Sequence, residues 1–235
     1  MLILGLTKTT LLDYPEHVAA TLFTGGCNFR CPYCHNRALI LQDSTMQPLS
    51  EDEVFSFLLR RQHVLSGVCI TGGEPTLYPD LPDLIQRIRA LGYLVKLDTN
   101  GTNPQMLRTL LQDGLIDYCA MDIKNAPEKY AMTVGSHESG EALLDLSAVE
   151  ESVQTLLCQH KIPYEFRTTV VAELHSTADF LTIARWIAGA HAYYLQSFVD
   201  STGVLTPGFH APSAESMQSY VDLCRPFIPN TNLRG

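Results

Sequence analysis

The alternation of short β-rich runs with helical stretches restricts the fold of this chain more than any other feature of its sequence. Strands that alternate with helices predict a parallel α/β sheet in which the helices form the crossovers. Six runs rich in β-branched and aromatic residues predict strands at 17–24, 67–71, 93–99, 117–124, 164–171 and 192–198. Helical patterns follow them at 54–62, 80–91, 104–112, 147–160, 178–188 and 213–224.

The number of these units favours an open barrel over a closed one. A closed eight-unit barrel typically needs about 250 residues, whereas this chain offers six units in 235 residues. We therefore expect one domain over residues 1–235, of the α/β class, built as a partial, open parallel (β/α)6 barrel that is TIM-barrel-like. The Pro- and Asn-rich tail after residue 224 receives no predicted strand.

Composition excludes several classes of protein. Hydrophobic residues make up 46% of the chain and charged residues 17%, which permits a folded core. The formal net charge of −9 opposes a nucleic-acid partner. No apolar run reaches the roughly 18 residues that cross a membrane, and the first residues do not resemble a signal peptide. We expect a cytoplasmic protein that has no membrane partner.

Polar residues follow the ends of the predicted strands, where parallel α/β folds place their chemistry. A cysteine cluster follows the first strand, and acidic, amide or basic side chains follow or lie in each later one. The candidates beyond the cysteines are Glu74, Asp98, Asn100, Asp122, Lys124, Arg167 and Gln196. Their shared position predicts a single site at one end of the barrel.

The cysteines Cys27, Cys31 and Cys34 have the spacing C-x3-C-x2-C, and three soft ligands so close in sequence can hold a metal centre. A zinc site completed by His35 or a distant cysteine is one interpretation, although structural zinc sites usually use two ligand pairs. The stretch 31–35 also matches a c-type haem motif, which is expected on exported chains. Buried thiols without a metal are a third interpretation. The pattern favours a fourth, an iron–sulfur cluster with three protein ligands and one open iron.

The cysteine spacing, with the aromatic Tyr33 before the last cysteine, resembles the signature of radical S-adenosylmethionine (SAM) enzymes. The stretch 72–75, Gly-Gly-Glu-Pro, is similar to the GGEP motif of that family, and the likeness extends over nearly the whole chain. The opening 5–36, together with 97–101 and 121–124, resembles the glycyl-radical-enzyme activases. Within them it is similar to the group that activates anaerobic ribonucleoside-triphosphate reductase.

This resemblance implies a chemistry and its partners. Cys27, Cys31 and Cys34 would hold a [4Fe–4S] cluster, and SAM would chelate the fourth iron. One electron from the cluster would cleave SAM to methionine and a 5′-deoxyadenosyl radical, which would take a hydrogen atom from a glycine of a partner enzyme. The implied partners are anaerobic ribonucleotide reductase and a low-potential electron donor such as flavodoxin or ferredoxin.

The resemblance also assigns roles near the methionine end of SAM. Gly72 and Gly73 would let backbone groups approach it closely. Glu74 would accept a hydrogen bond from its ammonium group. Tyr33 would lie near the adenine.

Further cofactor contacts are expected from the later strands. Asp122 and Lys124 would contact the ribose or the SAM carboxylate. Arg167 and Gln196 would reach the carboxylate or the adenosine, and Asn100 is expected to bind the cofactor as well. A surface ion pair is the alternative for Asp122 and Lys124, and a buried structural role is the alternative for Arg167 and Gln196.

A monovalent cation is a further expectation. Asp98, Thr99, Asp122 and the carbonyl of Ala120 match positions where related activases hold such an ion, and hard oxygen ligands suit it. Hydrogen-bonding aspartates without an ion are the alternative.

Two other functions stay open at this stage. One is a radical SAM enzyme that acts on a small molecule, similar to 7-carboxy-7-deazaguanine synthase. The other is a non-catalytic zinc-binding protein. A glycine in a protein partner would require a barrel open enough to admit a peptide loop.

Overall fold

The computed structural model describes residues 1–41, 46–135, 144–201 and 203–234. Its strands form one sheet whose order follows the chain. The first strand is antiparallel to the second, and every later neighbouring pair is parallel. The strands are β1 (Ile3–Thr10), β2 (Ala19–Thr24), β3 (Gly67–Gly72), β4 (Leu94–Thr99), β5 (Tyr118–Asp122), β6 (Tyr164–Val170), β7 (Tyr193–Ser197) and β8 (Thr231–Arg234).

Helices connect the parallel strands. They are α1 (Arg37–Leu41), α2 (Glu51–Leu59), α3 (Leu81–Ala90), α4 (Pro104–Gln112), α5 (Pro127–Val134), α6 (Leu146–Cys158), α7 (Thr177–Trp186) and α8 (Ala214–Cys224), with a 3-10 turn at Pro75–Leu77. Among the described residues β1 and β8 do not pair with each other, so the sheet curls without closing. The predicted open, mostly parallel α/β barrel is confirmed. No helix in the described ranges is both long and apolar enough to span a membrane.

The six predicted strands correspond to β2–β7, and the sequence prediction missed both edge strands. The predicted helices match α2, α3, α4, α6, α7 and α8 within three residues at each end, whereas α1 and α5 were also missed. The tail expected to lack a strand forms β8 instead.

Helix α2 begins at Glu51, three residues before its predicted start, because a capping box precedes it. The Ser50 hydroxyl accepts a hydrogen bond from the Glu53 backbone N–H, and the Glu53 carboxylate accepts one from the Ser50 N–H at 2.8 Å. This capping box satisfies two backbone donors at the start of the helix. Asp80 lies at the cap position of α3, but its side chain makes no cap hydrogen bond. It pairs with the N-terminal ammonium of Met1 instead.

Alternation along each strand separates an apolar face from a polar one. Val95 and Leu97 on β4 belong to the apolar core together with residues of the helices, such as Leu84 and Leu107. Lys96 lies between them in sequence, points the other way and is 1% exposed. The inner surface of the barrel is therefore lined with buried polar side chains, which must be paired to be tolerated there.

Strand β8 contributes one such pair. The guanidinium of Arg234 contacts both carboxylate oxygens of Glu165, which is fully buried on β6. The Tyr118 hydroxyl donates a further hydrogen bond to Glu165 at 2.6 Å. Arg234 also lies over the ring of Tyr194 at 3.8 Å from its centroid. The last strand thus supplies the cation that neutralises a carboxylate inside the barrel.

We expect Arg234→Met to lower the free energy of unfolding by about 3 kcal/mol, because it leaves the Glu165 carboxylate buried without its cation. Arg108→Met is the matched control, since the Arg108–Glu151 pair lies on the surface and should be worth less than about 1 kcal/mol. Urea unfolding of both variants measures the difference. Equal stability of the two variants would contradict the structural role of this pair.

Candidate active site

A cavity of about 230 Å³ opens at the carboxyl ends of the parallel strands. Because those ends meet at one edge of the sheet, the polar residues that follow different strands come together there. Every side chain or glycine predicted for the site lines this cavity, whereas Ala120, predicted through its carbonyl, does not: the lining includes Cys27, Cys31, Tyr33, Cys34, Gly72, Gly73, Glu74, Asp98, Thr99, Asn100, Asp122, Lys124, Arg167 and Gln196. The other lining residues are His35, which the zinc interpretation used, and Phe29, Asn36, Ile40, Thr71 and Thr169, which have no predicted role.

The cysteine loop is held by backbone hydrogen bonds from two sides. The Arg30 N–H donates to the Val134 carbonyl at the end of α5, at 2.8 Å. On the other side, the N–H groups of Leu205 and Thr206 donate to the carbonyls of Cys34 and Pro32 at 3.0 and 2.8 Å. The loop therefore has a fixed path, although it contains no regular secondary structure.

Burial keeps the three thiols protonated in the absence of a metal. It raises the pKa of Cys27 to about 11 and that of Cys31 to about 12, and it also raises the pKa of Cys34. Thiolates bind iron, so the positive charge of a bound metal centre would have to offset this burial. Within the described ranges, no three His, Cys, Asp or Glu side chains converge on a single metal ion. Three thiols on the wall of one cavity fit a cluster of several irons.

The hydroxyl of Tyr33 indicates that the cavity receives a ligand. Tyr33 is 3% exposed, and its oxygen is buried without a hydrogen-bond partner among the described residues. Buried polar atoms in proteins are nearly always paired. A polar group of a bound molecule at this wall would supply the missing partner.

The two glycines after β3 are required by the neighbouring backbone. A Cβ atom on Gly73 would lie 1.7 Å from the carbonyl oxygen of Gly26, and Gly72 has a φ of +112°. The turn is joined to the segment before the cysteines by two hydrogen bonds, Gly73 N–H to Thr24 O and Glu74 N–H to Gly26 O, each at 2.9 Å. The structure therefore gives a reason for this motif besides the expected approach of SAM.

The carboxylate of Glu74 is mostly engaged by the protein itself. Its Oε1 accepts from the Thr76 N–H, the Thr76 hydroxyl and the Thr99 hydroxyl, and its Oε2 accepts from the Asn100 N–H at 2.6 Å. Burial raises its pKa, and these hydrogen bonds oppose the rise. Glu74 thus fixes the turn after β4. Only Oε2 keeps capacity for a further donor, so the expected ammonium contact stays a prediction for that atom.

Five side chains of alternating charge form the floor of the cavity. The Arg167 guanidinium donates to Asp98 at 3.0 Å and to Asp122 at 2.9 Å. Lys96 pairs with the other oxygen of Asp98, and Lys124 with the other oxygen of Asp122. Burial would raise the pKa of each carboxyl group, but the adjacent cations outweigh it and hold both values below the usual range. Both aspartates are therefore ionised and paired.

This pairing does not favour the expected monovalent cation. The floor contains three side-chain cations against two carboxylates, and the oxygens of Asp98 and Asp122 already face Lys96, Arg167 or Lys124. A further cation at these oxygens would have to displace one of them. The alternative expectation, hydrogen-bonded aspartates without an ion, agrees better with the structure.

The β6–β7 side of the cavity differs from the β3–β5 side. Gln196 on β7 and Thr169 on β6 line the cavity, and their side chains make no hydrogen bond to other described residues. Together with the Tyr33 hydroxyl, they leave hydrogen-bonding capacity directed at the cavity. The expected contact of Gln196 with SAM stays a prediction that this geometry permits.

The family model of the radical SAM superfamily matches residues 21–148, a range that contains the cysteine loop, the Gly-Gly-Glu turn and every member of the charged floor except Arg167. The chain belongs to the radical SAM superfamily. It is a radical SAM enzyme whose cofactors are a [4Fe–4S] cluster and SAM, so a non-catalytic zinc-binding function is not supported.

Among its relatives is a Methanocaldococcus jannaschii protein whose name proposes it to be a glycyl-radical enzyme activating enzyme. The two are 32% identical over 201 residues, which is 84% of this chain and 80% of the relative. An S-adenosylmethionine-dependent nucleotide dehydratase of a Thermoplasmatales archaeon is 27% identical over 63% of this chain, which spans half of that protein. A 7-carboxy-7-deazaguanine synthase of Halobacterium salinarum is 37% identical over 34% of the chain and 30% of that protein.

Solved structures share the fold. Streptococcus suis SuiB bound to S-adenosylmethionine superimposes with a TM-score of 0.65 at 12% identity, over 92% of this chain and 52% of SuiB. TYW1 with a lysine-pyruvate adduct bound gives a TM-score of 0.64 at 15% identity, over 89% of this chain and 74% of that one. At these identities the likeness is one of fold alone.

We expect Gly73→Ala to abolish SAM binding, because the added Cβ cannot coexist with the Gly26 carbonyl unless the turn and the cysteine loop separate. The control is Gly92→Ala, whose Cβ meets nothing within 4 Å. Because Gly92 has a positive φ of +88°, the alanine should lower stability by about 1 kcal/mol without changing the site. Calorimetric titration of the reconstituted proteins with SAM compares them. Unchanged affinity in Gly73→Ala would show that the turn can move at little cost.

We expect Arg167→Met to lower the free energy of unfolding by about 3 kcal/mol and to weaken SAM binding, because the partly buried carboxylates of Asp98 and Asp122 lose the cation between them. Arg167→Lys restores the charge but cannot reach both aspartates with a planar fork, so its effect should be intermediate. Urea unfolding and SAM titration measure the two effects. A methionine variant as stable as the wild type would mean that Lys96 and Lys124 are enough to stabilise the carboxylates of Asp98 and Asp122.

Proposed function

We propose that this radical SAM enzyme is a glycyl-radical-enzyme activase whose partner is anaerobic ribonucleoside-triphosphate reductase. The observation that carries the proposal is the relative named for glycyl-radical enzyme activation, which is 32% identical over 84% of this chain. The likeness also covers four fifths of that relative. The specific reductase is proposed from the motifs at 5–36, 97–101 and 121–124.

The residues of the cavity have complementary roles in this proposal. Cys27, Cys31 and Cys34 would hold the cluster, and Lys124, which lines the same cavity, would contact the ribose or the carboxylate of SAM. When bound, the reduced cluster and SAM supply the 5′-deoxyadenosyl radical that takes the hydrogen atom from glycine. The buried wall around Tyr33 excludes water from that step.

An open barrel supports a protein substrate. A glycine within another protein must reach the cavity as part of a peptide loop, and the sheet leaves the edges β1 and β8 unpaired with each other in the described ranges. A low-potential donor such as flavodoxin or ferredoxin would reduce the cluster. We place the reaction in the cytoplasm, together with these partners.

A second candidate is the modification of a nucleotide or nucleoside. Two relatives are named for such reactions, the nucleotide dehydratase and the 7-carboxy-7-deazaguanine synthase. The net positive floor of the cavity suits an anionic small molecule. This candidate requires the same cluster and SAM, so only the substrate distinguishes it.

We expect anaerobically reconstituted protein, once reduced, to convert SAM to 5′-deoxyadenosine, and Cys31→Ala to lose the reaction because one iron loses its ligand. Cys158→Ala is the matched control, since Cys158 is exposed on α6 and should leave product formation unchanged. Addition of the reductase should then give a glycyl-radical doublet in the EPR spectrum with the wild type and with Cys158→Ala.

The outcomes separate the candidates. 5′-Deoxyadenosine without a doublet, together with a mass change in an added nucleotide, would replace the activase proposal by nucleotide modification. A doublet with a different glycyl radical enzyme would keep the activity and change the partner. Product formation by Cys31→Ala equal to that of the wild type would contradict the assignment of the cluster ligands.

A further inference from the structure

We propose that Asn100 positions Cys27 and donates an N–H to its sulfur, and that this hydrogen bond raises the reduction potential of the bound cluster. The proposal rests on the cluster that family membership establishes and on the cysteine assignment. It does not depend on the identity of the partner enzyme.

Three side chains join the turn after β4 to the cysteine loop in a closed ring of hydrogen bonds. The Asn100 amide donates to Asn28 Oδ1 at 2.9 Å, the Asn28 amide donates to Thr102 Oγ1 at 2.9 Å, and the Thr102 hydroxyl donates to Asn100 Oδ1 at 2.7 Å. Each member both donates and accepts. Such a ring restricts all three side chains at once, and Asn28 directly follows Cys27 in the chain.

The orientation of the Asn100 amide follows from its neighbours. The Thr102 backbone N–H lies 3.0 Å from Oδ1 of Asn100. Since a backbone N–H can only donate, the atom facing it must be the oxygen. The nitrogen of the amide therefore faces the cysteine loop, where it lies 3.9 Å from the Sγ of Cys27.

The turn that carries Asn100 is itself fixed. Its backbone N–H donates to Glu74, and the Gly101 N–H donates to the Thr99 hydroxyl at 3.1 Å. The Ser152 hydroxyl of α6 donates to the Gly101 carbonyl at 2.7 Å. Asn100 is 5% exposed, so its amide has little freedom to turn away from the sulfur.

The sulfur of Cys27 differs from those of Cys31 and Cys34 in its hydrogen-bond donors. The Phe29 N–H donates to the Cys27 sulfur and the Asn36 N–H to the Cys34 sulfur, each at 3.4 Å. Within the described residues, Cys27 is the one cysteine of the cluster loop whose sulfur also has a side-chain amide donor. Hydrogen bonds to ligating sulfurs stabilise the more negative, reduced cluster and raise its potential. This contact would therefore ease the one-electron reduction that SAM cleavage requires.

The test compares the cluster midpoint potential of reconstituted wild type and Asn100→Leu by redox titration followed by EPR. Leucine has a similar volume and keeps the backbone N–H that contacts Glu74, but its side chain has no N–H. We expect about a tenfold fall in the ratio of reduced to oxidised cluster at the wild-type midpoint, equal to about 59 mV for a one-electron couple. Iron and sulfide contents should equal those of the wild type.

Two further variants make the test specific. Thr102→Val opens the ring but keeps the Asn100 amide, so we expect a smaller shift in the same direction. Asn103→Leu makes the same chemical change at the cap of α4, where the side chain contacts Thr76 and Met106, and should leave the potential unchanged.

An unchanged potential in Asn100→Leu overturns the proposal, and so does an equal shift in Asn103→Leu. If Asn100→Leu does not assemble a cluster, Thr102→Val decides, and its unchanged potential overturns the proposal. None of these results depends on glycyl-radical formation, so the proposed function is tested separately.

Discussion

The bridge that Arg167 makes between Asp98 and Asp122 is the interaction on which the site depends. Barrel interiors of this type are usually filled by branched apolar side chains, but here buried charges extend from Lys96 to Lys124. Buried charges are tolerated only when each is paired with good geometry. The planar fork of arginine can contact both carboxylates at once, so the floor is a single paired unit rather than separate ions.

Close backbone contact fixes the wall of the cavity that the cysteine loop forms. The Gly-Gly turn after β3 lies directly against Gly26, which precedes the first cysteine, so the cysteine loop and the sheet share one backbone interface. Glu74, which follows the turn, then binds Thr99 and Asn100 on the next strand. Cys27 is thus positioned twice, through Gly26 and through Asn100. The position of the metal ligands is therefore set by the sheet, although the loop carrying them contains no regular element.

The sequence predicted the barrel because its inner strands are strongly patterned. Strands β2–β7 are buried runs bounded by glycine or polar turns, and the helices between them show clear spacing and caps. Strand β8 has four residues, and its polar sequence is accommodated by pairing with β7. Strand β1 is half-exposed and lies at the edge, so its pattern is weak. Helix α1 has only five residues, and α5 has eight and begins without a side-chain cap hydrogen bond, so their patterns are weak.

The site residues were predictable as a set, whereas their partners were not. Position at strand ends brought Glu74, Asp98, Asp122 and Gln196 to one cavity, because parallel strands end at one edge. Which donor faces which oxygen depends on the path of the turns, and no spacing rule contains that information. The cation site was expected from two aspartates, yet Lys96, from the interior of β4, supplies one of their countercharges. A motif indicates which ligand types are present, whereas the charges of neighbouring side chains determine what can bind to them.

The charge balance of the floor restricts the ligand that the cavity would accept. Three cations against two carboxylates leave one positive charge, and Lys124 is the member nearest to Tyr33 and the cysteine wall, with its side chain 18% exposed. A carboxylate suits the side of Lys124 that faces the cavity, whereas a cation at Asp98 or Asp122 would have to displace a side chain already paired with them. SAM carries a carboxylate, an ammonium group and a sulfonium, so its ends are distinguishable by charge. Under the proposed assignment of the site residues, the carboxylate of SAM would lie towards Lys124 and its ammonium group towards Oε2 of Glu74.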